Sequence, residues 1–441
     1  MQRSEPAPAD GQLPMGKANS RYPWAVVGML WFICFFNYAD RQAIFSIFPL
    51  LKSQLGFDNA DLGIIGAAFT WIYAITAPMA GQVGDRYSRK IVIIGGLYVW
   101  SIVTGFTALC SQVWQFVAVR GAEGLGETFY FPASMSLISD YHSKATRSRA
   151  MGLHQTSVYA GTIGGGALAG WIGEHYGWQY PFVVLGAGGV VLGLVLATFI
   201  REPQRNQADR MEQGGAANSV VHEHVPLVDF LRELARTPSA LLLILAFFGA
   251  NFVGLVFLTW MPTFLTEKFK LNLAMAGVSA TVYLQMASMC GSLLGGLMAD
   301  WLRVRFAGGR ILVQAVGALL GAPFIFLCGY TLELPVLIFA MTFFGLFKGI
   351  YDSNIWAALY DVVPPSRRGT AVGLTNMIGW FGGGLGAMAI GFAEGSGITM
   401  SEAISSTAVI YIGVACILVV ASLLVPRATG KAPMDTPVDA A

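Results

Sequence analysis

Apolar residues run along this chain in long blocks. The first begins near residue 23 and is interrupted only by the stretch "NYADR" at 37–41. Windows long enough to cross a hydrocarbon core, about 20 residues at helical rise, recur with starts near residues 23, 60, 91, 114, 149, 179, 239, 273, 310, 335, 369 and 402. The pattern predicts an all-α integral membrane protein with twelve transmembrane helices. The first apolar run is too long for a signal peptide and lacks a small-residue cleavage site, so it stays as helix 1. Polar residues gather in residues 1–21, 201–238 and 426–441. Within the second of these, the spacing of Leu227, Phe230, Leu231 and Leu234 fits a short amphipathic helix on the membrane surface. The predicted order is a tail (1–21), a six-helix bundle (22–200), a central loop (201–238), a second six-helix bundle (239–425) and a second tail (426–441).

Composition agrees: 55% of the 441 residues are hydrophobic, only 12% are charged, and mean hydropathy is +0.59. This is too apolar for a soluble domain. A net charge of +2 gives no reason to expect a nucleic-acid partner. The placement of charge says more. Arg86, Arg89 and Lys90, then Lys144, Arg147 and Arg149, then Arg303, Arg305 and Arg310, then Arg367 and Arg368 fall on the same side as both tails and the central loop. Lys52, Lys268 and Lys270 fall on the other. The positive-inside rule therefore predicts a multi-pass protein of the plasma (inner) membrane with both termini cytoplasmic.

The two halves repeat one plan. At an offset of 221, "SLISDYHSKATRSRAMGL" aligns with "AALYDVVPPSRRGTAVGL", setting Asp140 on Asp361 and Arg147 on Arg368. At an offset of 215, "GQVGD" (81–85) falls on "GLMAD" (296–300). Duplicated six-helix units point to a transporter whose bundles rock about a central site.

The segment "GQVGDRYSRK" (81–90) resembles the helix 2 to 3 signature of the major facilitator superfamily, and the resemblance covers essentially the whole chain. It implies two pseudo-symmetric six-helix bundles. Within that superfamily "NYADR", "GDRYSRK" and "GLGETFY" (124–130) resemble the Spinster branch, whose members include lysophospholipid and sphingolipid exporters. The organic anion:cation symporter branch carries a similar N-Y-x-D-R segment. "GTIGGGALAG" (161–170) resembles the superfamily's Gly-rich antiporter motif without its usual proline. The Spinster resemblance assigns coupling to Asp40, Arg41 and Glu127.

Seven ionisable residues lie well inside predicted spans: Asp40, Arg41, Arg120, Glu123, Glu127, Lys348 and Asp352. A charge facing lipid at mid-bilayer costs about 2.5–3.5 kcal/mol, so seven would cost roughly 20 kcal/mol, above the net stability of a typical fold. They must face a wet cavity or one another. Arg120, Glu123 and Glu127 share one helical face, as do Lys348 and Asp352. The 221 offset sets Glu127 on Lys348, which predicts a bridge between halves that breaks during rocking and holds a zwitterionic or anionic substrate. Asp40 and Arg41 have no counterpart in the second half, and neighbours on a helix point about 100° apart, so they do not simply bridge each other. Four acids against three bases leave one negative charge, which one proton neutralises. Asp40 is the proton-carrier candidate.

The expected substrate site comprises Arg41, Glu127, Tyr130, Lys348, Tyr351, Asp352 and Trp356. Phe45, Phe48, Phe129 and Phe131 beside it suggest walls for a lysolipid or sphingolipid-like amphiphile. A small organic anion is the alternative substrate, and a transporter-shaped sensor or membrane enzyme is the alternative of another class. Gly81, Asp85, Arg86 and Arg89, with Asp140, Arg147, Asp300 and Asp361, form an expected conformational latch. In it, Asp85 and Asp300 accept bonds from helix N-termini of the opposite half on the cytoplasmic side, closing when the cavity faces outward. Cys34, Cys110, Cys290, Cys328 and Cys416 have no paired spacing, and "HEH" (222–224) has no further ligand nearby, so no metal or disulfide is expected. Nor is there a phosphate-loop motif or a Ser/His/Asp constellation at one depth. The expectation is a monomer with membrane lipids and substrate as partners, no enzymatic activity, and no cofactor beyond a proton gradient.

Overall fold

The computed structural model describes residues 21–204, 207–208, 232, 234–364 and 367–425, with the backbone alone for 81, 82, 84–86 and 144. Among these residues the chain forms fifteen helices. The first half holds α1 (Tyr22–Ser46), α2 (Phe48–Leu55), α3 (Asn59–Arg86), α4 (Arg89–Thr107), α5 (Val113–Thr128), α6 (Tyr130–Tyr141), α7 (Lys144–Tyr176) and α8 (Tyr180–Phe199). The second holds α9 (Pro238–Phe269), α10 (Leu273–Arg303), α11 (Gly309–Tyr330), α12 (Leu334–Asp352), α13 (Ile355–Val362), α14 (Arg368–Gly395) and α15 (Met400–Leu423). The amphipathic stretch expected around Leu227, Phe230 and Leu231 lies outside the described residues.

Three passes are broken: α1 from α2 at Ile47, α5 from α6 at Phe129, and α12 from α13 at Ser353 and Asn354. The first two breaks have a proline two or three residues downstream, Pro49 and Pro132. A proline ring has no N–H to give and crowds the carbonyl four residues back, here those of Phe45 and Thr128, where the preceding helices end. The third has no proline. There the Asn354 amide donates to Gly295 O at 3.1 Å and to Ser353 Oγ at 2.8 Å, and Ser353 Oγ donates to Ile350 O at 2.9 Å. Side-chain bonds of this kind compete with the helical ladder. Joining each broken pair gives twelve passes.

Nine of the described helical spans are long and apolar enough to cross a membrane. The remaining passes, 113–141, 144–176 and 368–395, carry the buried polar faces. They hold Arg120, Glu123 and Glu127 in α5, His154 in α7, and a run of buried glycines in α14.

In the first bundle α1 packs on α7, α3 on α5 and α4 on α8; in the second, α11 packs on α15, α10 on α12, and α9 on both α14 and α15. The bundles meet along α3 with α14 and α7 with α10. The α7–α10 approach needs glycine: a Cβ on Gly277 would lie 2.2 Å from the Gly166 carbonyl oxygen. Gln42 Nε2 donates to Leu258 O at 3.1 Å, Trp71 Nε1 donates to Phe381 O at 3.2 Å, Lys52 pairs with Glu267 at 3.1 Å, and Asn59 donates to Glu394. These inter-half bonds lie between the middle of the helices and the end opposite the termini. The halves are thus joined at that end.

Candidate functional site

At the middle of α1 the chain presents Tyr38, Asp40 and Arg41 to the interior. Gly165 of α7 permits this depth of packing, since a Cβ there would lie 2.3 Å from the Ala39 Cα. Arg41 Nε donates to the Glu127 carboxylate on α5, in an ion pair buried from solvent. The guanidinium sits among four rings: Tyr38 at 4.7 Å, Phe69 and Tyr73 each at 4.8 Å, and Trp380 of the other half at 5.8 Å. One turn earlier on α5, Arg120 Nη1 meets Glu123 at 2.6 Å, and Thr104 Oγ1 reaches the same carboxylate at 3.5 Å. Across the interior Lys348 pairs with Asp352 one turn on along α12, with Tyr159 of α7 within electrostatic reach.

Three of the four interior acids therefore have a basic partner. The fourth is Asp40. It is wholly buried, neither carboxylate oxygen makes a hydrogen bond although Thr104 lies beside it, and Glu123, Glu127 and Arg120 act on it electrostatically. Glu127 Oε1 and Arg41 Nη1 are likewise buried without partners. The interior thus carries one acid in excess, which a single proton neutralises. It also holds a guanidinium with donor capacity to spare for a carboxylate.

The structure places several of the expected residues differently. In this conformation Glu127 and Lys348 are each paired within their own bundle, Glu127 with Arg41 and Lys348 with Asp352. Tyr130 is buried inside the first bundle. The turn at Phe129 sends its ring into the first bundle's core against Trp100, where its hydroxyl donates to Leu30 O at 2.7 Å and meets His154 Nε2 at 2.9 Å. Tyr351 is buried near Tyr411 in the second bundle's core. Phe48 is also buried, edge-on to Phe45 and tilted against Trp260, and Trp356 packs on Phe247. Residues not singled out from sequence complete the centre: Tyr38, Phe69, Tyr73, Tyr159, His154 and Trp380. Tyr38 lies three positions before Arg41, and Phe69 and Tyr73 are four apart, so helical spacing could have flagged them. Trp380 had no such signal.

Residues 30–387 match the Major Facilitator Superfamily. The chain belongs to this superfamily. Over 433 residues it is 28% identical to the probable galactarate/D-glucarate transporter GudP of Escherichia coli (strain K12), covering 93% of this chain and 94% of the relative. Over 379 residues it is 28% identical to Protein spinster homolog 1 of Homo sapiens, covering 78% and 68%. Among solved structures, a bacterial homolog of the human lysosomal transporter Spinster, inward-facing and unoccupied, superposes with a TM-score of 0.75 at 20% identity, covering 93% of this chain and 97% of that one. The facilitator is a multi-pass membrane transporter and not an enzyme.

The residues of the expected latch gather at the end that carries the termini. Arg89 Nη1 meets Asp140 at 2.8 Å and Glu202 at 3.5 Å, and Arg89 Nε donates to Ser136 Oγ at 2.9 Å. Glu202, not expected from sequence, also accepts from the backbone N–H of Arg89 at 3.0 Å and of Lys90 at 2.8 Å, capping α4. At positions 221 further on, Arg310 Nη1 meets Asp361 at 2.7 Å. The same relation joins Arg147, which donates to Ser139 O at 3.3 Å, and Arg368, which donates to Tyr360 O at 3.0 Å. Asp300 pairs with Arg303 at 3.3 Å on its own exposed helix end and does not reach the opposite half. Gly81, Asp85 and Arg86 belong to the α3 backbone, and their side chains lie outside the described residues.

Proposed function

We propose that this facilitator is a proton-coupled symporter of a small, hydroxylated organic anion, working by alternating access as a monomer in the plasma membrane with both termini cytoplasmic. One observation carries the reading: Asp40 is the unpaired acid of the interior, and it is adjacent in sequence to Arg41, a guanidinium held among rings with Nη1 unbonded. Protonation of Asp40 brings the interior to neutrality, and the carboxylate of the substrate bonds Arg41. With the halves joined at the end away from the termini, the site is reached from the cytoplasmic side. Similarity to the probable galactarate/D-glucarate transporters GudP supports a polyhydroxy acid.

An amphiphile is the second reading. The kinship with Protein spinster homolog 1 and the four rings around Arg41 favour it. Against it, Phe48, Tyr130 and Tyr351, the expected walls for a tail, are packed in the bundle cores.

The test is uptake of labelled galactarate by proteoliposomes under an inward proton gradient, with a panel of organic acids and a lysolipid chain-length series as competitors below micelle formation. The proposal expects competition by small hydroxylated acids and none that grows with chain length. A tail buries about 0.8 kcal/mol per CH₂, so competition strengthening about a hundredfold over four carbons, with no small acid competing, would replace the anion by the amphiphile.

A further inference from the structure

Trp380 is on the second bundle, yet its ring lies 5.8 Å from the Arg41 guanidinium of the first and 5.2 Å from Tyr73. Among the described residues it is the one ring from the second half in the box around Arg41. Beside it, Phe381 stacks on Trp71 at 5.2 Å with planes 18° apart, and the Trp71 indole donates to the Phe381 carbonyl. Gly384 leaves room for this pair, since a Cβ there would lie 2.3 Å from Trp71 Nε1. The α3–α14 seam at this depth therefore consists of two aromatic pairs, of which Tyr73–Trp380 also touches the charged centre.

We propose that Trp380 is the positioning residue that couples the charge state at Arg41 to closure of the far end of the transporter. This rests on the reading of Arg41 as the anion-holding group. A desolvated guanidinium is held to the face of an indole more strongly than to other rings. While Arg41 lies in the box, that attraction crosses between the bundles and favours the closed seam. When an anion draws Arg41 out, or a proton alters its partner Glu127, the cross-bundle attraction changes while the Phe381–Trp71 stack stays as it was. Separation of the seam then follows the occupancy of the centre.

The experiment measures distances without substrate, so it does not depend on which anion is carried. Spin labels are placed on S53C and S396C, both exposed at the closed end on opposite bundles, with the exposed Cys290 and Cys416 replaced by serine. Pulsed spin-label distances report the ratio of closed to open populations. Trp380→Leu is expected to lower that ratio about fivefold to tenfold, between the size of an exposed and of a fully desolvated cation–π contact, and Trp380→Phe to lower it less. Phe381→Leu, in the same seam but away from Arg41, should move it less than Trp380→Leu. In an Arg41→Gln background Trp380→Leu should add only the smaller shift that loss of the Tyr73–Trp380 ring contact brings. Equal shifts for Trp380→Leu and Phe381→Leu, a Trp380→Leu shift just as large without Arg41, or no shift at all would each overturn the proposal. If Trp380→Leu fails to fold, Trp380→Phe in the presence and absence of Arg41 decides. Failure of uptake for every organic acid would sink the substrate reading and leave these distances unaltered.

Discussion

Arg41 and Glu127 form an ion pair buried between α1 and α5, while Asp40, the residue before Arg41, keeps both carboxylate oxygens unbonded. Removing one partner of such a pair strands the other charge, at a cost of about 3–5 kcal/mol. Arg41→Gln should therefore lower thermal stability in detergent well beyond the double variant Arg41→Gln/Glu127→Gln, in which no lone charge is added. Equal losses in the two would mean that Arg41 acts through packing on its four rings alone.

Glycine at the α7–α10 seam gives a second test. Gly277→Ala puts a methyl group 2.2 Å from the Gly166 carbonyl, and backbone there cannot step aside without separating the bundles. The variant should fold, expose the end opposite the termini and lose transport. The spin-label distance between S53C and S396C should shift toward the open population. An unchanged distance distribution with normal transport would show that the seam has slack.

The repeated pairs at the terminal end differ in burial, and so in weight. Arg89 is buried with Asp140, Glu202 and Ser136 around it, whereas Arg310 and Asp361 are partly exposed. Arg89→Ala should cost roughly 3 kcal/mol, and Arg310→Ala about 1 kcal/mol or less. Chemical denaturation of the two variants in detergent checks the order.

At the α6–α7 corner His142 packs edge-on against Trp24 at 4.8 Å. Burial, with the Arg147 charge nearby, holds its pKa below the usual histidine value of 6.5. The unfolded chain then binds the proton more readily than the folded one. The contribution of His142 is fully present above about pH 6.5 and is lost as pH falls through the lower folded value. His142→Gln should flatten that part of the stability-versus-pH curve. An unchanged curve would remove His142 from the acid response.

Apolar windows in the sequence start close to each of the twelve passes, although 113–141, 144–176 and 368–395 carry buried polar faces and are less apolar than the other nine. Spacing also put Arg120 with Glu123 and Lys348 with Asp352, since residues three and four apart share a face. It did not see that Arg41 would hold Glu127, which depends on how α1 and α5 pack. The repeat offset misled for the same reason: equivalent positions in two bundles need not touch. Pro49 and Pro132 accompany two helix breaks, yet Pro78, Pro262 and Pro323 lie inside unbroken helices, so proline alone does not decide. Only after the break at Phe129 is placed does the inward turn of Tyr130 follow.

The central claim is that Asp40 carries the coupled proton. The direct measurement is proton movement during organic-anion uptake in proteoliposomes, wild type beside Asp40→Asn, with substrate counterflow run on both. The account predicts external alkalinisation with the wild type on adding substrate, and for Asp40→Asn preserved counterflow with no proton movement. Proton movement of equal size in Asp40→Asn would contradict it.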